Sequence, residues 1–242
     1  MWWVFEVRTL LAVSASPDVQ KLSTSSIAGT LLTLSAVVML MAAFGCLGSK
    51  LFNRYVIYYA VQSVALAFAA GVVAYNFDSA QLWVLAFITL GIKGIAIPLA
   101  TRRLLIQRLD LRRDVALSTG LSTSLIIGAF LTGFAFLVIQ PQDLPKGVVA
   151  SSAVPLATAL VLLGGLAMVV RRHTVAQLIG WLITENGVFL GGITLVSSFP
   201  LIVEAGIFLD LVAATLIMIV FVSGMTRRLA EATASQLREL HD

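Results

Sequence analysis

The chain has 242 residues, of which 59% are hydrophobic and only 12% are charged, and its formal net charge is +4. A soluble globular domain has roughly 25% charged residues, so this composition excludes that class and indicates an integral membrane protein. The basic residues cluster at the ends of apolar segments, which excludes a nucleic-acid-binding surface as the source of the positive charge.

Seven long, mostly apolar runs predict membrane-spanning helices. They cover residues 27–48, 54–76, 79–100, 115–139, 148–170, 174–197 and 201–226. The chain is therefore expected to be an all-α integral membrane protein whose membrane domain covers residues 27–228. The third run contains Gly91, Gly94 and Pro98, which predict a kink or a close approach of helices at that level.

The two ends of the chain differ from these spans. Residues 1–26 begin with an apolar stretch that contains Trp2 and Trp3 but is interrupted by Glu6 and Arg8. This pattern favours an interfacial segment over a cleaved signal peptide, with a short eighth span as the alternative. Residues 229–242 are expected to form a partly helical cytoplasmic tail.

The basic residues predict the orientation in the membrane. Every second connection between the spans is rich in lysine and arginine. In the remaining connections the only basic residue is Lys146. The basic connections contain Lys50 and Arg54; Arg102, Arg103, Arg108, Arg112 and Arg113; Arg171 and Arg172; and Arg227 and Arg228. The positive-inside rule then places the N-terminus outside and the C-terminus in the cytoplasm.

Four ionisable side chains lie inside the predicted spans: Lys93, Glu185, Glu204 and Asp210. A charge at the centre of a membrane helix costs about 2.5 to 3.5 kcal/mol, so such residues indicate a functional site. Glu185 and Asp210 are expected near the middle of the membrane, Lys93 slightly towards the cytoplasm, and Glu204 near the outer surface. A lateral row of carboxyl and amino groups at this depth is what a proton relay requires.

Further polar residues support this interpretation. Asn186 adjoins Glu185, Thr89 lies one turn before Lys93, and Gln62 belongs to a polar patch in the second span. The tyrosines of that patch, Tyr55, Tyr58 and Tyr59, are interpreted as an interfacial aromatic belt.

Simpler interpretations remain open for several of these residues. Glu204 is close enough to a helix end for its carboxylate to reach the interface, and Lys93 could be a structural counter-ion between two helices. The arginine pairs are topology signals first, and docking of a cytoplasmic partner is their possible second role.

Motifs of intrinsic catalysis are absent from the sequence. It contains no nucleophilic triad pattern, no HExxH, no P-loop and no glycine-rich dinucleotide turn. The single cysteine, Cys46, lies in an apolar run, and the two histidines, His173 and His241, lie at a helix end and beside the C-terminus. We therefore expect no cofactor, no metal site and no enzymatic activity of the chain's own.

Four segments resemble a known family. They are IGWLITENGVFLGG (179–192), FPLIVEAGIFLDLVAATLIMIVFVSGMTRR (199–228), ITLGIKGIAIP (88–98) and QPQDLP (140–145). In order and spacing they resemble component E of hydrogenase-4-type membrane complexes, over roughly residues 27–228. Residues 148–228 are in turn similar to the small K chain of respiratory complex I and to the small C-type component of Mrp antiporters. The membrane glutamates of the K chain would fall near Leu182 and Ala214, one turn from Glu185 and Asp210 and on the same helix faces.

The resemblance implies a non-catalytic membrane subunit of a complex I-like, energy-converting assembly of the hydrogenase-4 or formate hydrogenlyase type. Its implied partners are antiporter-like membrane subunits, a heel subunit, lipids and a peripheral iron–sulfur or [NiFe] redox arm. The implied location is a bacterial or archaeal cell membrane. Glu185, Asp210, Lys93 and Glu204 would then belong to a path for protons or Na⁺. A pure scaffold of the membrane arm and a subunit of an Mrp-type cation/proton antiporter are the alternatives.

Overall fold

The computed structural model describes residues 27–49, 51–101, 120–144, 148–171 and 174–195, and these residues are almost entirely helical. All of them belong to one compact unit of the chain, Met1–Gly206. The helices are α1 (Ile27–Gly48), α2 (Phe52–Asn76), α3 (Ala80–Ile88), a π-helix (Thr89–Ala96), α4 (Ile97–Thr101), α5 (Leu121–Val138), α6 (Ala153–Val170) and α7 (Thr174–Leu195).

Six helical segments in the described residues are long and apolar enough to cross a membrane. They correspond to the first six predicted spans, so the prediction of an all-helical membrane protein is confirmed for this part of the chain. The seventh predicted span, 201–226, lies outside the described residues, as do the 1–26 segment and the 229–242 tail. The total number of spans and the orientation of the termini therefore stay predictions.

One predicted boundary is wrong. The span predicted to begin at residue 148 begins at Ala153, because Pro155 lacks a backbone N–H and is compatible with a helix only in its first turn. The residues before it follow another course, in which the backbone N–H of Val149 donates to the carbonyl of Thr194 at the end of α7, at 3.0 Å.

The third span is not a regular α-helix. After α3, whose first turn is capped by the Ser79 hydroxyl, the chain continues as the π-helix and then as α4. The backbone N–H of Ile97 donates to the carbonyl of Ile92, five residues earlier. Pro98 follows at once and offers no N–H to the preceding turn. The irregularity predicted from Gly91, Gly94 and Pro98 is thus a π-helix, which is a rare element often found at functional sites.

Burial is greatest in α6 and α7, where 61% of each span is buried, and least in α5, where 17% is buried. α6 and α7 pack closely through glycines, so that a Cβ atom added at Gly187 would lie 2.8 Å from the backbone nitrogen of Val161. α2 contacts α1, α7 and the π-helix. The polar residues of α2, α7 and the π-helix are therefore turned towards a common interior.

Candidate functional site

An ion pair joins the π-helix to α7 inside the bundle. The Lys93 Nζ atom lies 3.1 Å from Glu185 Oε1, and the two side chains are 4% and 3% exposed. These residues are 92 positions apart in the chain, and the sequence predicted both as site residues at similar depth. The structure brings them into direct contact.

Two amide side chains extend this pair into the centre of the bundle. Lys93 Nζ donates to Asn186 Oδ1 at 3.3 Å, and Asn186 Nδ2 donates to Gln62 Oε1 at 3.2 Å. Gln62 Nε2 donates in turn to the backbone carbonyl of Met39 in α1, at 3.3 Å. Asn186 is fully buried and Gln62 is 1% exposed. The network therefore joins α1, α2, the π-helix and α7.

The Met39 carbonyl fixes the direction of this network. A backbone carbonyl only accepts hydrogen bonds, so the Gln62 amide must present its NH₂ group to Met39 and its oxygen to Asn186. Asn186 must then direct its own oxygen at Lys93. The ammonium group of Lys93 is thus held by one carboxylate oxygen and one amide oxygen.

The pair can exchange a proton without movement of the backbone. The 3.1 Å separation of Lys93 Nζ and Glu185 Oε1 is within the range in which a proton passes between a donor and an acceptor. Transfer would convert two charges into two neutral groups. This arrangement can hold, accept and pass on a proton.

The other predicted site residues have different outcomes. Thr89 is buried in the same π-helix as Lys93, with 2% of its surface exposed. Glu204 and Asp210 lie outside the described residues, so the structure does not bear on their proposed place in the relay. Within the described ranges, no group of three or more His, Cys, Asp and Glu side chains could hold a metal ion.

The interpretation of the second-span tyrosines as an interfacial belt is wrong for two of them. Tyr55 is fully buried and Tyr59 is 1% exposed, whereas a belt residue faces lipid headgroups. Only Tyr58 is half-buried. Tyr55 and Tyr59 share the buried face of α2 with Gln62, because residues at i, i+4 and i+7 lie on one side of a helix.

Sequence reasoning also missed the role of Arg171, which it treated as a topology signal. Arg171 is 1% exposed. One of its terminal nitrogens, Nη2, donates to the carbonyls of Cys46, Leu47 and Ser49 at 2.8 to 2.9 Å. Its guanidinium group also lies over the Tyr55 ring, 5.0 Å from the ring centre.

Arg171 therefore caps the C-terminal end of α1, where backbone carbonyls lack helical partners and the helix dipole favours a cation. It joins the end of α6 to α1 and to the start of α2. No local sequence signal distinguishes this arginine from its neighbour, because its acceptors are backbone atoms.

The chain is similar in sequence to a mycobacterial protein. No protein-family model matches the chain, and no solved structure is significantly similar to it. A stretch of 153 residues, which is 63% of this chain and 70% of the relative, is 32% identical to the uncharacterized protein Rv0085 of Mycobacterium tuberculosis. The chain therefore belongs to the same family as Rv0085.

Proposed function

We propose that this chain is a non-catalytic membrane subunit of a multi-subunit, energy-converting complex, in which it contributes to a path for protons or Na⁺. The observation that supports this most directly is the buried Lys93–Glu185 pair with its Asn186–Gln62 extension. A protein that only filled space in a membrane would not need a charged pair at this depth, since apolar side chains of similar volume are as stable or more stable there.

The class of complex follows from the family resemblance of the sequence. The segment with Glu185 and Asn186 and the segment with Lys93 are two of those that resemble component E of hydrogenase-4-type assemblies. The assembly would supply the redox reaction through its peripheral iron–sulfur or [NiFe] arm. This chain would connect antiporter-like subunits with the heel subunit in a bacterial or archaeal cell membrane.

Within that complex, Lys93 and Glu185 would form one station of the relay. The ammonium group would protonate Glu185 when a proton arrives on the Lys93 side, and Asn186 would hold Lys93 in place during the exchange. Asp210 would take the proton onward and Glu204 would form an outer branch. Both steps rest on the sequence alone.

The test is Glu185→Gln in the assembled complex, reconstituted in vesicles and assayed for protons moved per electron transferred. The amide keeps the shape of the carboxyl group but cannot exchange a proton at neutral pH, so we expect the ratio to fall roughly tenfold or more. The matched control is Asp143→Asn, which removes an exposed carboxylate in the turn after α5 and should leave the ratio unchanged.

The scaffold alternative makes a different prediction for the same variant. Loss of the ion pair can reduce the amount of assembled complex on blue-native gels under either hypothesis. If Glu185 only binds neighbouring helices, the Glu185→Gln complex that does form should pump normally. A normal ratio in fully assembled Glu185→Gln complex would contradict the relay.

A further inference from the structure

Hydroxyl groups line the buried face of α2 between the Lys93–Glu185 pair and the end of the bundle at which the basic connections predict the cytoplasm. Tyr55, Tyr59 and Ser63 are each at most 1% exposed. They follow one another at intervals of four residues, so they share a face of α2. From Tyr55 to Ser63 this face covers about 12 Å along the helix axis, at about 1.5 Å per residue.

The Ser63 hydroxyl differs from most other buried hydroxyl groups of these helices. Several other buried or half-buried serines and threonines donate to the carbonyl one turn earlier, as Ser35, Thr184 and Thr194 do at 2.8, 3.1 and 2.9 Å. The Ser63 hydroxyl makes no such bond and has no hydrogen-bond partner among the described residues. A buried hydroxyl without a protein partner is costly unless it bonds to a water molecule.

Tyr55, at the other end of this face, also has a buried hydroxyl group with incomplete hydrogen bonding. Its hydroxyl oxygen is buried and makes no hydrogen bond of good geometry to the described part of the chain, although the nearby Arg171 guanidinium interacts with it. Its backbone carbonyl accepts a weak bond from the Cys46 thiol at 3.6 Å. Within the described ranges, two buried hydroxyls on one helix face thus lack a full set of protein partners.

We propose that water molecules bridge the hydroxyl groups of Tyr55, Tyr59 and Ser63 and connect the Arg171 end of the bundle with Gln62 and the Lys93–Glu185 pair. Neighbouring residues on this face are about 6 Å apart along the helix axis, so water molecules on that face can link one hydroxyl group to the next. Gln62 precedes Ser63 in the chain and belongs to the amide network that ends on Lys93, which places Ser63 near the level of the pair. Because amides do not exchange protons at neutral pH, the last step from Ser63 to Lys93 would also pass through water.

These three hydroxyl groups and the waters between them, the hydroxyl row, would be the path by which protons enter the relay. Its use by protons rests on the proposed function. Each hydroxyl and each water can accept a proton on one side and release another on the other side, so a proton crosses without any atom travelling the whole distance. No net charge remains on the row after the transfer. Arg171 lies at the end of the row where protons would enter, and its positive charge there would disfavour the entry of metal cations.

The presence of water can be tested on the purified chain in lipid nanodiscs, without the rest of the complex. Brief X-ray irradiation converts bound water into hydroxyl radicals, which oxidise adjacent side chains, and mass spectrometry locates the products. We expect Tyr59 to be labelled roughly tenfold more than Phe130, because only Tyr59 would have water beside it. Phe130 is 71% exposed on α5 and would face lipid. Equal labelling of the two residues would overturn the proposal.

A variant pair then tests the row itself. Ser63→Val removes the hydroxyl and fills its space with methyl groups, so labelling of Tyr59 should fall to the level of Phe130. Ser35→Val is the matched control, because Ser35 is also buried but its hydroxyl is bonded to its own helix. Unchanged labelling of Tyr59 in a folded Ser63→Val chain would contradict the proposal that water connects these hydroxyl groups. If that variant does not fold, the measurement on the wild type decides whether water is present.

The assembled complex separates this inference from the proposed function. If Ser63 belongs to the entry path, Ser63→Val should lower the protons moved per electron and Ser35→Val should not. Water labelling at Tyr59 together with normal pumping by Glu185→Gln would leave the hydrated row standing and reject the relay. Absence of labelling together with loss of pumping in Glu185→Gln would reject only the row.

Discussion

The central residues of this protein are a lysine and a glutamate that would be unfavourable if either were alone. Each is almost completely buried, and their opposite charges lie 3.1 Å apart. Their attraction offsets part of the desolvation cost of both groups, and the Asn186 oxygen supplies a further acceptor to Lys93. The free-energy cost of burying each charge therefore depends on the presence of the other.

This dependence can be measured with a double-mutant cycle on unfolding in detergent. Replacement of one partner, as in Lys93→Met or Glu185→Leu, leaves an unpaired buried charge and should lower the free energy of unfolding by about 3–5 kcal/mol. The double variant should lose less than either single variant, because no unpaired charge remains. Asp143→Asn, at an exposed position, should change stability by less than about 0.5 kcal/mol. Additive losses in the double variant would show that the pair is not coupled.

At this scale the sequence identifies charged and amide side chains but not their backbone partners. Lys93, Glu185, Asn186 and Gln62 could be predicted because polar residues are conspicuous in apolar runs, and all four belong to the network. The Met39 carbonyl that orients Gln62, and the carbonyls that hold Arg171, could not be predicted. Every residue has a carbonyl, so the type of residue carries no signal of this role.

Among the elements, the third span shows what composition leaves open. Gly91, Gly94 and Pro98 predict an irregular helix, but not a π-helix from Thr89 to Ala96. A π-helix has about one more residue per turn than an α-helix, so it changes which residues face the interior. Here both Thr89 and Lys93 are buried. The spacing of four residues already predicts that Thr89 and Lys93 share a face, so the sequence accounts for their common burial but not for the π-helical form of the segment.

The close packing of α6 against α7 holds Glu185 and Asn186 in position, and two adjacent glycines allow it to be tested. A Cβ atom at Gly164 would collide with Thr184 and lie 2.8 Å from the carbonyl oxygen of Gly180, whereas one at Gly165 would meet nothing within 4 Å. Gly164→Ala should therefore destabilise the chain by about 1–3 kcal/mol through overpacking. Gly165→Ala should be neutral or stabilising by up to about 1 kcal/mol, because alanine favours the helix.

The measurement is again the free energy of unfolding in detergent, with both variants compared with the wild type. Equal effects of the two substitutions would show that the close approach of α6 and α7 is not needed. The sequence predicted both helices but not which glycine of the pair lies at the contact, because both fit a small-residue interface.

For the molecule as a whole, the apolar runs and the basic connections are independent kinds of information. The runs predicted six spans that the described residues contain. The basic connections predict how those spans cross the membrane. The proposed entry row depends on that orientation, since it begins at the Arg171 end of the bundle.

The orientation can be tested with a membrane-impermeant thiol reagent in intact cells. The single native cysteine, Cys46, is 1% exposed and should give little background. Gln142→Cys lies at an exposed position in the turn after α5, which should face outside, and should be labelled in intact cells. Asn53→Cys lies at an exposed position near the start of α2 and should be labelled only after the cells are permeabilised. The reverse pattern would place the Arg171 end outside and would make the hydroxyl row an exit path for protons instead of an entry path.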